Sequence, residues 1–323
     1  MKILGIGNAL TDYLFRLDSD DVLLKLALPK GSMQLVDKHK SDEILNMIRL
    51  APEQISAGGS AANTIHGLAN LGVETAFIGK VGDDEHGRMF RKNLQSSGIE
   101  EKLFTSESPS GVAIALISPD GERTFATYLG AAIELTNEDL ETEMFEDYDL
   151  VHIEGYLVQN HNLVRKILSI TNELEQKVSI DLASYNVVSD NKDFLNEIIS
   201  NNAHIVFANE DEAREFTGLS PEKALSVISQ ICEVAIVKVG SQGSLIRDKN
   251  HSLKIEAFPA TCLDTTGAGD LYASGFLYGF SKKMKLSQCG EIASLLAGHV
   301  IEELGAKITE HRWQIVRETL GLV

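Results

Sequence analysis

The stretch DTTGAGDLYASGFLYGF, residues 264–280, decides the reading of this chain. Gly267, Ala268 and Gly269 carry little or no side chain, so the backbone there can approach a ligand closely. The apolar spacing that follows is helical, and a helix is expected over 267–280. Backbone N–H groups at a helix start form an anion site, reinforced by the positive end of the macrodipole. Asp270 falls in the first turn beside it. A hydroxyl held between the two would lose its proton to Asp270 while the amides met a transferring anionic group. A glycine-rich start capped by Thr and Asp would look the same on spacing alone.

Upstream of this stretch, short apolar runs alternate with amphipathic ones, the signature of a wound α/β sheet. Strands are expected at 2–7, 75–80, 150–153, 178–181, 205–208 and 234–239. Helices are expected at 60–71, 85–97, 162–173, 192–200 and 221–232, then at 287–303 and 310–320. Two stretches break the rhythm, 13–40 and 109–129. The second alternates apolar residues around Pro119-Asp120-Gly121, a turn signal. Both read as antiparallel strands inserted in the core, forming a lid over a site that must exclude water. The division expected is a core of 1–12, 41–108 and 130–323, with 13–40 and 109–129 as the lid.

Four further segments carry polar chemistry. SAGGSAANT (56–64) sets Gly58 and Gly59 before a helix, with Asn63 able to donate and accept, a combination suited to polyols. NEDE (209–212) closes an apolar strand, and strand C-termini are where open α/β sheets bind ligands. Asn209 and Glu212 there could hold Mg²⁺ through water, or simply begin a capped helix. VKVGSQGS (237–244) offers Lys238, Gly240 and Gly243 in a turn that lies along a nucleotide or closes a hairpin. GIGNALTD (5–12) lacks the third small residue of a dinucleotide fingerprint, since Leu10 holds that place, which argues against a dehydrogenase. Asp12 is better placed to accept from substrate hydroxyls.

The 323 residues carry a formal net charge of −18, which excludes nucleic acid as a natural partner but not a phosphorylated small molecule. Apolar residues make up 43 % of the chain, so a sizeable core is expected. Cys232, Cys262 and Cys289 have no metal-like spacing and read as reduced thiols. The N-terminus reads as a core strand and not a leader, and no apolar run reaches the ~20 residues of a membrane span. A cytoplasmic, soluble protein is the expectation.

Taken together, GNALTD, GGSAANT, GERTF, NEDE, VKVGSQG and DTTGAGDLYASGF resemble, in order and over nearly the whole chain, the ribokinase/PfkB family of carbohydrate and nucleoside kinases. The resemblance implies a three-layer α/β/α core with a central, mostly parallel sheet and a small β-sheet lid. It implies an ATP- and Mg²⁺-dependent kinase acting on a hydroxymethyl group of a small sugar or nucleoside. Asp270 would be the general base, and the amides of Gly267, Ala268 and Gly269 the anion hole. Asp12, Gly58, Gly59 and Asn63 would bind substrate; Lys238, Gly240 and Gly243 would bind nucleotide. His299, in ASLLAGHVIEELGA, would neighbour the adenine. Family members respond to a monovalent cation near Asp264. The run 123–140 resembles the adenosine-kinase-like branch, with Arg123 meeting ATP phosphates or pairing with lid acids, and with Tyr13 and Phe15 as the aromatics available to clamp a base. A ligand-binding sensor on the same fold is the alternative. A homodimer would use the lid's exposed apolar edge.

Overall fold

The computed structural model describes residues 1–48, 52–120 and 122–322. Gly121 of the expected turn therefore lies outside the described residues. A nine-stranded sheet forms the centre, in the order Ser252–Ile255 (β14), Ser244–Arg247 (β13), Val234–Lys238 (β12), Ile205–Asn209 (β11), Lys177–Asp181 (β10), Leu150–Ile153 (β9), Ile3–Ile6 (β1), Thr75–Gly82 (β5) and Glu100–Ser106 (β6). From β6 to β12 all neighbours are parallel. The last two strands fold back antiparallel, so 237–244 is a hairpin turn as well as a strand end.

These strands read as unbroken apolar runs because both faces are buried. Leu4, Ile6, Val151 and Ile153 pack with Ile167 and Leu195 on one side. On the other, Ile3, Phe77 and Phe207 pack with Ile65 and Phe276. Three layers result, with the helices Ser60–Asn70 and Ala268–Ser281 together on the second face.

The second sheet has five strands, ordered Met33–Leu35 (β3), Arg123–Tyr128 (β8), Gly111–Ile117 (β7), Leu10–Arg16 (β2) and Gln54–Gly58 (β4). The expected antiparallel pairing holds within the second stretch, β7 with β8; β2 also pairs antiparallel with β4, a strand that was not expected. Across the two inserted stretches it does not: β2 runs parallel to β7, and β3 parallel to β8. Each inserted stretch enters the sheet from the same edge of the core, so their strands start in the same direction. Strand β4 falls outside both inserted stretches; with one fully apolar position exposed and two small residues buried, it gives little alternation to read.

Two helices stop earlier than periodicity suggests. The helix expected to 232 is Pro221–Ile228. The helix expected to 303 is Leu286–Val300, and 301–306 turns back beneath the 264–270 loop. There Ile301 O accepts from Leu263 N (2.7 Å), and Asp264 Oδ2 accepts from Gly305 N (2.8 Å). Loop-to-loop hydrogen bonds of this kind leave no trace in a periodicity. Cys232 and Cys289 are buried and Cys262 is exposed, all as free thiols. Among the described residues no helix is long and apolar enough to cross a membrane.

Candidate active site

Asp270 is held where two helices begin side by side. Ser60 Oγ donates to its Oδ1 at 2.7 Å and Asn63 Nδ2 to its Oδ2 at 3.0 Å. Burial nevertheless pushes its carboxyl up to about 6, with those two bonds opposing the shift. The preceding turn depends on Gly267, whose φ is +75°; a Cβ there would stand 2.6 Å from the Cβ of Ala306. The buried Asp264 pins the turn from below, accepting from Thr266 N at 2.9 Å and Thr266 Oγ1 at 2.7 Å. Of the three amides expected to form an anion hole, that of Ala268 already donates to Thr265 O at 3.2 Å. A 3₁₀-like closure of the turn uses it, which leaves Gly267 and Gly269 for the role.

A cleft of about 890 Å³ opens above Asp270, between the two sheets. Asp12, Gly59 and Asn63 line it together. Gly59 takes φ +99°, and a Cβ on it would lie 2.1 Å from Asn8 O. The backbone there is consequently bare toward the cleft. Two acids face the same space, Glu154 fully buried and Asp12 half-buried: desolvation pushes Asp12 up to about 7, with Lys307 opposing, and Glu154 also up to about 7. Glu154 accepts from Asn8 Nδ2 (2.6 Å) and from Ala61 N (3.1 Å), tying β9 to the first turn of the helix at 60. Lys307, held down at about 8 by burial against the pull of Asp12 and Asp270, lies behind the cleft in the loop after the 286–300 helix, where it lines a separate hollow with Gln54 and Glu303.

Lys238 closes the cleft floor, donating to Asp181 Oδ2 at 2.9 Å. Asn209 and Glu212 line the cleft beside it, and each is already engaged by the other. Glu212 accepts from Asn209 N and Nδ2, both at 2.7 Å, while Asn209 Oδ1 accepts from Glu212 N at 2.8 Å. This is a full capping box, so the two expectations for NEDE coexist. Burial pushes Glu212 up to about 7. Among the described residues no group of three His, Cys, Asp or Glu could hold a metal. The pair therefore suits Mg²⁺ only through water, with phosphate oxygens completing the shell, which is how that ion is commonly held.

Leu10 and Phe125 of the second sheet, with Leu129, Ile133 and Leu135 just after β8, give the far wall an apolar surface. Tyr13 and Phe15 do not reach it. Side chains alternate along β2, so Leu10 and Asp12 face the cleft while Phe15 is buried among Leu23, Leu26 and Ile44 on the outer side. Arg123 crosses from β8 to the 264–266 loop, donating to Thr266 Oγ1 at 2.9 Å and to Thr265, with Asp264 at 3.6 Å.

The nucleotide set is divided. Lys238 lines the cleft; Gly240 and Gly243 lie in the hairpin turn beyond it, and His299 is buried under Phe258, ring centroids 5.3 Å apart. Sequence reading missed Asp181, Glu154, Asn8, Ser60 and Lys307. Asp181 ends β10 and Glu154 follows β9, so the strand-end rule that singled out Asn209 would have found both. Nothing in the sequence marks Lys307, which a loop brings up behind the cleft.

Residues 38–312 match the model of a family described as pfkB family carbohydrate kinase. An adenosine kinase from Sinorhizobium meliloti superposes with a TM-score of 0.91 at 30 % identity, covering 98 % of this chain and 99 % of that one. A nucleoside kinase from Methanocaldococcus jannaschii is 28 % identical over 99 % of this chain and 96 % of its own. An uncharacterized sugar kinase from Archaeoglobus fulgidus is 29 % identical over 75 % of this chain and 96 % of its own.

Proposed function

The chain belongs to the pfkB family of carbohydrate kinases, and on that premise we propose that it transfers the terminal phosphoryl group of ATP to the hydroxymethyl group of a nucleoside. One observation carries the acceptor class: a single cleft has a polar floor of Asn8, Asp12, Asn63 and Glu154 and an apolar wall of Leu10, Phe125, Leu129 and Leu135. A free sugar would leave that wall facing water, whereas a ribose on the floor sets its attached base against it. The names of the Sinorhizobium and Methanocaldococcus relatives point the same way.

Asp12 and Asn63 accept from and donate to the ribose hydroxyls, with the bare backbone at Gly58 and Gly59 allowing the ring to sit close. The acceptor hydroxyl then points at Asp270. An alcohol holds its proton far more tightly than this carboxylate, so Asp270 orients the hydroxyl and takes the proton as the new bond forms. The amides of Gly267 and Gly269 stabilise charge on the phosphoryl oxygens. Mg²⁺, held through water at Asn209 and Glu212, would neutralise phosphate charge. Gly240, Gly243 and His299 flank the nucleoside end of ATP. Arg123 keeps the lid against the 264–266 loop, which excludes water from the reacting atoms.

The test is ADP release with Mg-ATP against adenosine, other nucleosides, ribose, fructose, 2-keto-3-deoxygluconate and phosphorylated hexoses. A nucleoside is expected to exceed every free sugar in kcat/KM, and Asp270→Asn to abolish the signal. A free or phosphorylated sugar as best acceptor would overturn the nucleoside assignment and leave the kinase one standing.

A further inference from the structure

We propose that Asp181 is a positioning residue that aims the Lys238 ammonium at the phosphoryl group in transit, an inference that rests on the kinase reading above. The two residues end strands β10 and β12, on either side of β11, so the sheet itself sets their separation. Lys238 Nζ donates to Asp181 Oδ2 at 2.9 Å, and Asp181 Oδ1 accepts from Ala183 N at 2.9 Å. Both carboxylate oxygens are thereby fixed, and the lysine with them. Its ammonium lies 3.0 Å from where a Cβ on Gly269 would stand, beside one of the two residues whose amides are left for the anion site.

The side chains are only 16 % and 11 % exposed. A buried ion pair recovers little more stability than apolar side chains of the same volume, because desolvating both charges offsets their attraction. Stability therefore gives no reason to keep this pair. Position does. The cleft is lined by Asp12, Glu154, Asp181, Glu212 and Asp270, a surface hostile to a triphosphate. Lys238 is the ammonium beside Gly269, where the terminal phosphate must arrive to lie in line with a hydroxyl on Asp270. In the transfer, the acceptor oxygen bonds to the γ-phosphorus while the bridging P–O bond breaks. Its electron pair leaves with ADP, and the hydroxyl proton goes to Asp270. Charge on the three equatorial oxygens is what Lys238 would meet.

The charged and titratable groups facing Lys238 are Asp181, Glu212 and Asp270, with His152 on neighbouring β9. Burial lowers the lysine's proton affinity, but attraction to Asp181 and then Glu212 outweighs it and leaves the ammonium above its ordinary range.

Lys238→Met, Lys238→Arg, Asp181→Asn and the Asp181→Asn/Lys238→Met pair are compared with wild type in kcat and in KM for both substrates. Lys238→Met is expected to lose about 100-fold in kcat, the scale of one lost transition-state donor, with acceptor KM held. Asp181→Asn is expected to lose about 10-fold in kcat, as for other residues that orient a working group, with acceptor KM again held. Lys238→Arg restores part of the loss. The double variant falls no further than Lys238→Met alone. Additive losses, or a loss in Asp181→Asn that falls on acceptor KM and not on kcat, would overturn the assignment. Calorimetric titration of the same proteins with ATP and ADP separates this from failure of the kinase reading. If no acceptor is turned over, the pair is still supported by Lys238→Met weakening ATP more than ADP, and refuted by equal weakening.

Discussion

The two sides of the cleft solve their folding problem in opposite ways. The floor is made of polar groups partly or wholly withdrawn from water: desolvation pushes the carboxyls of Asp270, Asp12, Glu154 and Glu212 to about 6 or 7. The second sheet and the segment that follows it offer Leu10, Phe125, Leu129 and Leu135 as an apolar wall. Hydrogen bonds from named donors hold Asp270, Glu154 and Glu212, so each of these has one geometry. Apolar packing holds the lid, and packing tolerates exchange of shape more readily than a buried polar group tolerates loss of its partner. Chemistry is accordingly expected to fail by changes in the floor, and acceptor choice by changes in the lid.

The largest break should come from Asp270→Asn. The amide keeps the shape of the carboxylate but cannot take the proton, and kcat should fall by about 10²- to 10⁴-fold. Thermal unfolding should change little, because Ser60 can still donate to the amide oxygen. Near-normal turnover would remove the base from the floor and dissolve the contrast. Gly267→Ala comes next. It forces an alanine to φ +75° and sets its Cβ against Ala306, 2.6 Å away, so folding should lose about 1–3 kcal/mol by urea titration. Activity should fall with it, since the turn that presents the amides has to move. An alanine variant with unchanged kcat would mean that the turn serves packing alone.

On the lid, Phe125→Ala should act differently. It removes apolar surface from the wall without touching a hydrogen bond to the acceptor, and KM for a nucleoside should rise about 10-fold with kcat held. KM for ribose should stay constant in the same variant. A fall in kcat instead would show that the lid takes part in the chemistry, through Arg123, whose guanidinium lies 5.9 Å from the Phe125 ring.

The sequence exposes these two sides unequally, for the same physical reason. Backbone-dependent features such as Gly59, Gly267 and the capped start at Asn209 are local, and a short string of residues specifies them. Alternating apolar strands announce a lid, but not which strands pair or which face looks inward. Tyr13 and Phe15 were plausible on composition and point outward by the pleat, whereas Phe125 points in. Asp181 and Glu154 were legible as strand-end acids, since β10 and β9 were both expected. Lys307 was not, because its place depends on the 301–306 loop returning beneath Asp264, a contact between residues about forty apart.

The smallest expected effect tests how finely the floor is tuned. Ser60 Oγ, 2.7 Å from Asp270 Oδ1, stabilises the ionised carboxylate. Without that bond the proton is held more tightly, so the Asp270 carboxyl should rise above its value of about 6 in Ser60→Ala. The base works ionised, so the acid limb of kcat should move to higher pH, by about 0.5–1 unit for one hydrogen bond. At pH 8 the two enzymes should turn over alike. Stability follows the same sign. A carboxyl raised in the folded state binds more protons there than in the unfolded chain, so stability falls as pH rises from the unfolded value through the folded one. Ser60→Ala extends that fall to higher pH. Its loss in Tm should be present at pH 8 and vanish near pH 4, where the carboxyl is protonated with or without the serine. A loss of Tm equal at both pH values would assign Ser60 to packing, and the floor would then owe its geometry to Asn63 alone.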